Sequence, residues 1–147
     1  MSDFNSRQSA EILRSVHRNS EMAFNSCGDV LKICKNTRLH DEIAAERVRY
    51  RNIACRAAQE LEKRGARPAE YPEYAKLMAK MGIYCKTLND RSASKIASMM
   101  IRGTTLGIID MQHALNRSSK AEEEIRNSAQ QLLDREEQFC ARLKRYL

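Results

Sequence analysis

The feature that most constrains the fold is a helical repeat of apolar residues in four long segments. Apolar side chains recur every three to four positions through about 7–36, 38–64, 91–117 and 120–147, as an amphipathic helix requires. A shorter segment, about 73–88, follows Pro72 with the same pattern. No segment shows the strict alternation of a strand. The sequence therefore predicts an all-α protein.

The lengths of the connections predict how these helices are arranged. One to three residues separate the first helix from the second and the third from the fourth, so each pair must fold back as an antiparallel hairpin. About 25 residues separate the second from the third, enough to return along a helix of roughly 40 Å. Two hairpins joined by a long crossover with a short helix form the ferritin-like four-helix bundle. We expect residues 1–147 to form this single domain.

Residues that favour helix ends stand at the predicted boundaries. Gly65 follows the second helix, where a glycine commonly ends a helix. Asp90 or Ser92 is the expected N-cap of the third helix, and Ser118 or Ser119 that of the fourth.

Composition argues for a cytoplasmic protein that does not enter a membrane. The five cysteines are odd in number and scattered without C-x-x-C spacing, as in a reduced protein rather than a disulfide framework. The segment MSDFNSRQSAE has no apolar core of a signal peptide. The longest apolar stretch, about 96–109, is interrupted by Arg102 and is too short for a membrane span.

The net charge of +7 raises the question of nucleic-acid binding. Basic and acidic residues alternate along the whole chain. The densest basic cluster, Arg47, Arg49, Arg51 and Arg56, points around its helix rather than along one face. Evenly solvated charge explains this pattern better than a nucleic-acid interface, which is kept as an alternative.

Three segments carry a resemblance to a known group of proteins. They read IASMMIRGTTLGIIDMQHALN, AQQLLDREEQFCARLKRYL and AAERVRYRNIACRAAQELEKRGARP. Together they resemble small uncharacterised bacterial proteins of ferritin-like fold, over nearly the whole chain from about residue 9. The resemblance implies the fold but no activity. The wider superfamily includes di-iron carboxylate proteins, which implies that a metal site is worth testing.

Asp110 and His113 form a D-x-x-H on the third long helix. A di-metal bundle uses a Glu from each of two helices and a Glu-x-x-His from each of the other two, and the sequence contains no E-x-x-H. Asp110, His113 and His17 could still hold iron or another divalent metal. We favour a polar layer without a cofactor and keep the metal site as the alternative.

Polar residues interrupt the apolar stripes at two levels. Counting residues along the helices places Glu46, Glu136 and Arg102 in one buried polar layer. Asp110 falls in a second layer roughly 14 Å away, level with His17. This is too far for a di-metal pair, whose ions lie about 4 Å apart.

Buried carboxylates need partners, and the sequence offers several. Arg47 or Arg102 could neutralise Glu46 and Glu136. Arg56 or His17 could do the same for Asp110, with His113 at the rim.

Gly103 and Gly107 form a G-x-x-x-G within the third long helix. Such glycines allow close helix contact, and a ligand pocket is the alternative. Ile101, Ile108 and Leu115 form a second apolar stripe on the same helix, which predicts burial against another subunit.

No Ser-His-Asp set, activated cysteine or phosphate-binding loop can be recognised. The favoured function is therefore a structural or interaction role as a homo-oligomer, with a dimer favoured, no catalysis and no cofactor. The alternatives are a metal-binding protein or metal-dependent oxidoreductase and a basic nucleic-acid-binding module.

Overall fold

A computed structural model describes residues 2–68 and 72–147, and the regular structure in these ranges is helical. The four long helices are α1 (Ser2–Leu31), α2 (Thr37–Lys63), α4 (Ala93–Arg117) and α5 (Glu123–Leu143). The shorter α3 (Pro72–Thr87) lies between the two pairs, and a 3-10 turn (Lys144–Tyr146) follows α5. The described residues contain no strand, so the predicted all-α class is confirmed.

Helix α1 packs against both α2 and α4. Arg14 Nε donates to the carbonyl of Arg67 just beyond the end of α2, at 3.0 Å. On the other side, Arg117 Nε lies 3.1 Å from Glu11 Oε1, and the amide of Lys120 donates to Gln8 Oε1 at 2.6 Å. The first part of α1 thus meets the last part of each neighbour, so α1 is antiparallel to both.

Long polar side chains connect α2 to α5. Tyr50 Oη donates to Glu136 Oε2 at 2.5 Å. Near the start of α5, Arg64 Nε and Nη2 bind the carboxylate of Glu122 at 2.9 and 3.0 Å. Residue numbers fall along α5 as they rise along α2, which makes these helices antiparallel as well.

The apolar core consists of two clusters that follow one another along the helices. One cluster contains Val16, Leu61, Met111, Leu115 and Leu133, and the other contains Cys27, Tyr50, Ile96, Met100 and Phe139. On α4 and α5, the residues between the two clusters include Asp110 and Glu136. The polar side chains therefore interrupt the core near the middle of the molecule. Cys27, Cys34, Cys85 and Cys140 are buried and Cys55 is exposed, all as free thiols.

Both predicted ends of the first helix are wrong. Helix α1 spans Ser2–Leu31 rather than 7–36. The side chain of Asn36 accepts a hydrogen bond from the amide of Leu39 at 2.9 Å and caps α2. The carbonyl of Val30 accepts bonds from the amides of Ile33 and Cys34, which closes the last turn of α1. Asn36 is the N-cap of α2, so it does not belong to α1.

The fourth long helix begins at Glu123 instead of residue 120, and Glu122 is its N-cap. Ser118 is the C-cap of α4, and its carbonyl accepts the amide of Ala121 at 3.1 Å. Neither Ser118 nor Ser119 caps α5, because this turn uses Ser118 to end the preceding helix. At the other end, α5 gives way to the 3-10 turn before residue 147.

The remaining predicted caps are confirmed. Ser92 accepts a hydrogen bond from the amide of Lys95 and is the N-cap of α4. Gly65 follows α2 with φ of 66°, a conformation that glycine adopts without strain.

The second apolar stripe of α4 packs inside the chain. Leu115 is 3% exposed, and Ile101 and Ile108 are partly buried against the two core clusters. Other helices of the same chain cover Leu115, whereas Ile101 and Ile108 are covered only in part, so a second subunit at this stripe stays a prediction. The exposed apolar side chains of α4 are Leu106 and Ile109.

Candidate functional site

A cavity of about 360 Å³ lies between α1, α3 and α4. Tyr50 of α2 and Glu136 of α5 also line it, so every α-helix contributes to its wall. Its described lining includes five methionines: Met22, Met78, Met81, Met99 and Met100. The volume is typical of small-molecule sites, which measure roughly 300–1,000 Å³. Methionine side chains are flexible and polarisable, so such a wall can adapt to different ligands. We call this space the methionine cavity.

Two glycines of α4 line the methionine cavity. A Cβ added at Gly103 would meet no atom within 4 Å, whereas one at Gly107 would lie 3.5 Å from Asn19 Oδ1. The prediction of a close helix contact is therefore wrong for Gly103, which faces open space. Gly107 has only ordinary van der Waals contact with α1. Both glycines line the cavity, and a ligand pocket at the glycine pair stays a prediction.

Asp110 lies at the edge of the cavity and is held by three side chains of α1. Ser15 Oγ and Asn19 Nδ2 donate to its Oδ2 at 2.9 and 2.6 Å, and Arg18 Nη2 forms an ion pair with the same oxygen. Burial alone would raise the pKa of Asp110, but the hydrogen bonds from Arg18, Asn19 and Ser15 outweigh it and lower the pKa. Asp110 is thus an ionised group whose charge Arg18 balances.

The three side chains suggested as metal ligands do not come together. His113 is exposed, and Nδ1 of His17 lies 3.9 Å from Glu21 on its own helix. Among the described residues, no group of three or more His, Cys, Asp or Glu side chains is placed to hold a metal ion. The carboxylate of Asp110 instead binds Arg18 and its neighbours, so Asp110, His113 and His17 are not a ligand set in this structure.

Glu46 and Glu136 are both buried, each with 8% exposure, and they have different partners. Glu46 Oε1 forms ion pairs with Arg49 and with Arg142, the latter at 2.9 Å. Glu136 Oε2 accepts the hydroxyl of Tyr50. One carboxylate of this layer is therefore neutralised by two guanidinium groups, while the other has a neutral donor.

The arginines expected beside these carboxylates lie elsewhere. Arg102 is exposed on α4, so it does not belong to the buried layer. Arg47 Nε donates to the carbonyl of Phe24, and its guanidinium lies 4.0 Å from the centre of that ring. Arg56, which was expected beside Asp110, is exposed as well. A residue's level along a helix does not determine the direction in which its side chain points, which is why the predicted pairs are wrong.

Burial raises the pKa of Glu136 from 4.5 to about 7. The hydrogen bond from Tyr50 and the charge of Arg135 lower the pKa, and the negative charge of Glu46 raises it. Burial also raises the pKa of Cys27 to about 12 and that of Tyr50 well above its usual 10, so both stay neutral. Glu136 is therefore a carboxyl group that changes its charge near neutral pH.

A second depression of about 300 Å³ lies between α1, α2 and α5. Its ionisable lining residues, Arg56, Glu60, Glu124 and Arg135, are exposed or partly exposed. The methionine cavity combines similar volume with a buried carboxyl group, and it is the better candidate site.

No family model matches the chain, and no curated protein and no solved structure is significantly similar to it. Within residues 2–68 and 72–147, no helix has both the length and the apolar character needed to cross a membrane. We therefore infer the function from the chemistry of the cavity.

Sequence reasoning missed Ser15, Arg18 and Tyr50. Ser15, Arg18 and Asn19 stand at i, i+3 and i+4 on α1, a spacing that brings polar side chains to one helix face and could have revealed a polar partner for Asp110. Tyr50 continues the apolar repeat of the second segment, so it drew no attention as a polar group. A buried tyrosine hydroxyl usually has a hydrogen-bond partner, and that requirement could have pointed to Glu136.

Proposed function

We propose that this chain is a ligand-binding protein that holds an apolar small molecule in the methionine cavity and has no catalytic activity of its own. The observation that carries the proposal is the cavity of about 360 Å³ whose lining includes five methionines and Gly103. Small-molecule sites are mostly apolar and carry a few polar groups that orient the ligand. The cavity fits this description, with Asp110 and Glu136 in its wall.

We further propose that the fold is a ferritin-like four-helix bundle. Support comes from the antiparallel contacts of α1 with α2 and α4, from the bonds between α2 and α5, and from α3 within the crossover. Ligand sites in such bundles are built from side chains on facing helices. The methionine cavity has this position.

The proposal is tested by titrating the protein with a neutral apolar dye, N-phenylnaphthylamine, and following its fluorescence. We expect saturable binding of one dye per chain. Gly103→Leu should weaken binding at least about tenfold, because the new side chain occupies the cavity without a steric clash.

His113→Leu is the matched control, since it places the same side chain on the exposed surface of α4. We expect this variant to bind the dye as the native chain does. Absence of saturable binding to the native chain, or equal binding by Gly103→Leu, would show that the cavity is not the site.

A further inference from the structure

The described residues that line the methionine cavity carry an excess of negative charge. They include two carboxyl groups, Asp110 and Glu136, and one cation, Arg18. Arg18 and Asp110 form an ion pair, so their charges cancel. When Glu136 is ionised, these described lining residues together carry a net charge of −1, although the whole chain carries +7. The local charge is thus opposite to that of the protein.

Among the described residues, no cation forms an ion pair with Glu136, and only the charge of Arg135 next to it in sequence acts on its carboxylate from a distance. Its Oε2 accepts the hydroxyl of Tyr50. Arg49 and Arg142, the nearby guanidinium groups, bind Glu46 instead. A buried carboxylate without a cation is costly, and a positive charge supplied from outside the chain would offset that cost.

We propose that the methionine cavity binds a small organic cation, an amine with an apolar body, whose charge lies against the carboxylate of Glu136. This inference rests on the proposed function and adds the class of ligand. The apolar body of the amine would contact the methionines that line the cavity, among them Met99 and Met100 on α4. Flexible methionine walls accept various shapes, so we expect the site to select for charge more strongly than for shape.

The ionisable surroundings of Glu136 indicate how binding depends on pH. The lining residues from α3, including Met78 and Met81, are apolar. The other ionisable groups around the site are Cys27 and Arg18 on α1, Tyr50 and Glu46 on α2, Asp110 on α4, and Arg135 and Cys140 on α5.

Glu136 is expected to change charge between about pH 6 and 8, since its pKa is about 7. The pKa values of Cys27, Tyr50 and Cys140 are raised from already high values, and that of Asp110 is lowered. A simple alkylamine stays protonated throughout, because its pKa is close to that of lysine, about 10.4. Binding of the amine should therefore weaken as the pH falls through about 7.

The test is isothermal titration calorimetry with three probes of similar size: phenylbutylamine, phenylbutanol and phenylbutanoate. At about pH 8 we expect the amine to bind at least about tenfold more tightly than the alcohol, and the carboxylate to bind most weakly. In Glu136→Gln, the amine should lose this advantage while the alcohol binds as before. Unchanged alcohol binding also shows that the variant is folded.

Glu137→Gln is the matched control, because it removes a neighbouring carboxylate that is exposed on the same helix. It should leave the preference for the amine unchanged. Equal binding of amine and alcohol to the native chain, or an amine preference that survives in Glu136→Gln, would overturn the inference while the proposed apolar site stands. If none of the three probes binds, the proposed function itself fails.

Discussion

Glu136 is the residue whose surroundings differ most from those of an ordinary carboxylate. It is buried and accepts a hydroxyl, whereas Glu46 beside it is held by two arginines. Burial disfavours the charged form, and a single neutral donor offsets only part of that effect. The two glutamates have the same exposure, 8%, but different hydrogen-bond partners.

Glu136→Gln should change how stability depends on pH. The pKa of Glu136 in the folded chain, about 7, lies above its usual 4.5, so the folded chain holds this proton more tightly than the unfolded chain. The stability from this proton is fully present below about pH 4.5 and is lost as the pH rises through about 7. Gln carries no charge, so the variant should be more stable than the native chain at about pH 8, by roughly 1–3 kcal/mol.

Urea unfolding at several pH values between about 5 and 8 measures this effect. Glu137→Gln, which changes an exposed carboxylate, should retain the native pH dependence. The same slope in the native chain and in Glu136→Gln would contradict the raised pKa.

At the residue scale, sequence analysis predicted which polar positions interrupt the apolar stripes but not their partners. Glu46, Asp110 and Glu136 could be found because each replaces an apolar residue in a periodic pattern. The partner Arg142 could not be found, because its long side chain can reach several positions and its direction depends on the rotation of its helix. The same holds for the metal hypothesis. The i and i+3 spacing of Asp110 and His113 does not fix the rotation of the helix, and His113 is exposed.

In helix α4, position 103 carries a residue that helix stability alone would not favour. Glycine in a helix interior is less favourable than alanine by about 0.5–1 kcal/mol. Nothing lies within 4 Å of the Cβ position of Gly103, so no close approach requires a glycine there. Open space for a ligand gives a reason for this residue that helix stability does not.

Two glycine-to-alanine variants should change stability in opposite directions. Gly103→Ala should raise the free energy of unfolding by about 0.5–1 kcal/mol, because the helix gains a better former without a clash. Gly65→Ala should lower it by about 1 kcal/mol, because the φ of 66° is unfavourable for alanine. Thermal or urea unfolding of both variants decides the question, and a loss of stability in Gly103→Ala would mean that the space beside it is occupied.

Helix boundaries were predictable where a residue type is favoured at only one position of a helix. Gly65 marks the end of α2 because few other residues adopt its backbone conformation. Asn36 and Ser118 were assigned incorrectly because such residues serve in helix ends, turns and caps alike. Only the hydrogen bonds of the folded chain decide between these roles.

At the scale of the whole molecule, connection lengths carried more information than any motif. They predicted hairpins, and the observed contacts join α1 with α2 and α4 with α5. They could not predict the methionine cavity, because an internal space depends on how closely α3 approaches the other helices. Connection lengths also do not show whether another helix of the same chain or another subunit covers the apolar stripe containing Leu115.

The homodimer remains a prediction, and we expect its contact to include the exposed apolar residues of α4. Leu106 and Ile109 are 69% and 47% exposed and lie three positions apart on α4, so they form one apolar surface. Light scattering should give a mass above the 16.9 kDa of one chain. Ile109→Glu should restore the single-chain mass, because a charge would be buried at the contact.

Val48→Glu serves as the comparison, since it introduces the same charge at an exposed apolar residue of α2. It should leave the mass unchanged. A native mass of 16.9 kDa would contradict the dimer, and equal effects of both variants would place the contact elsewhere.

The division of the core into two clusters has a consequence for motion. Met100 and Met111 anchor α4 on either side of a segment that contains Gly103 and Gly107. A helix usually frays from its ends, where support is weakest. Between these two methionines, Gly103 and Leu106 are exposed, so we expect this part of α4 to move outward as well. A ligand could then enter the molecule without separating the hairpins or opening a hinge.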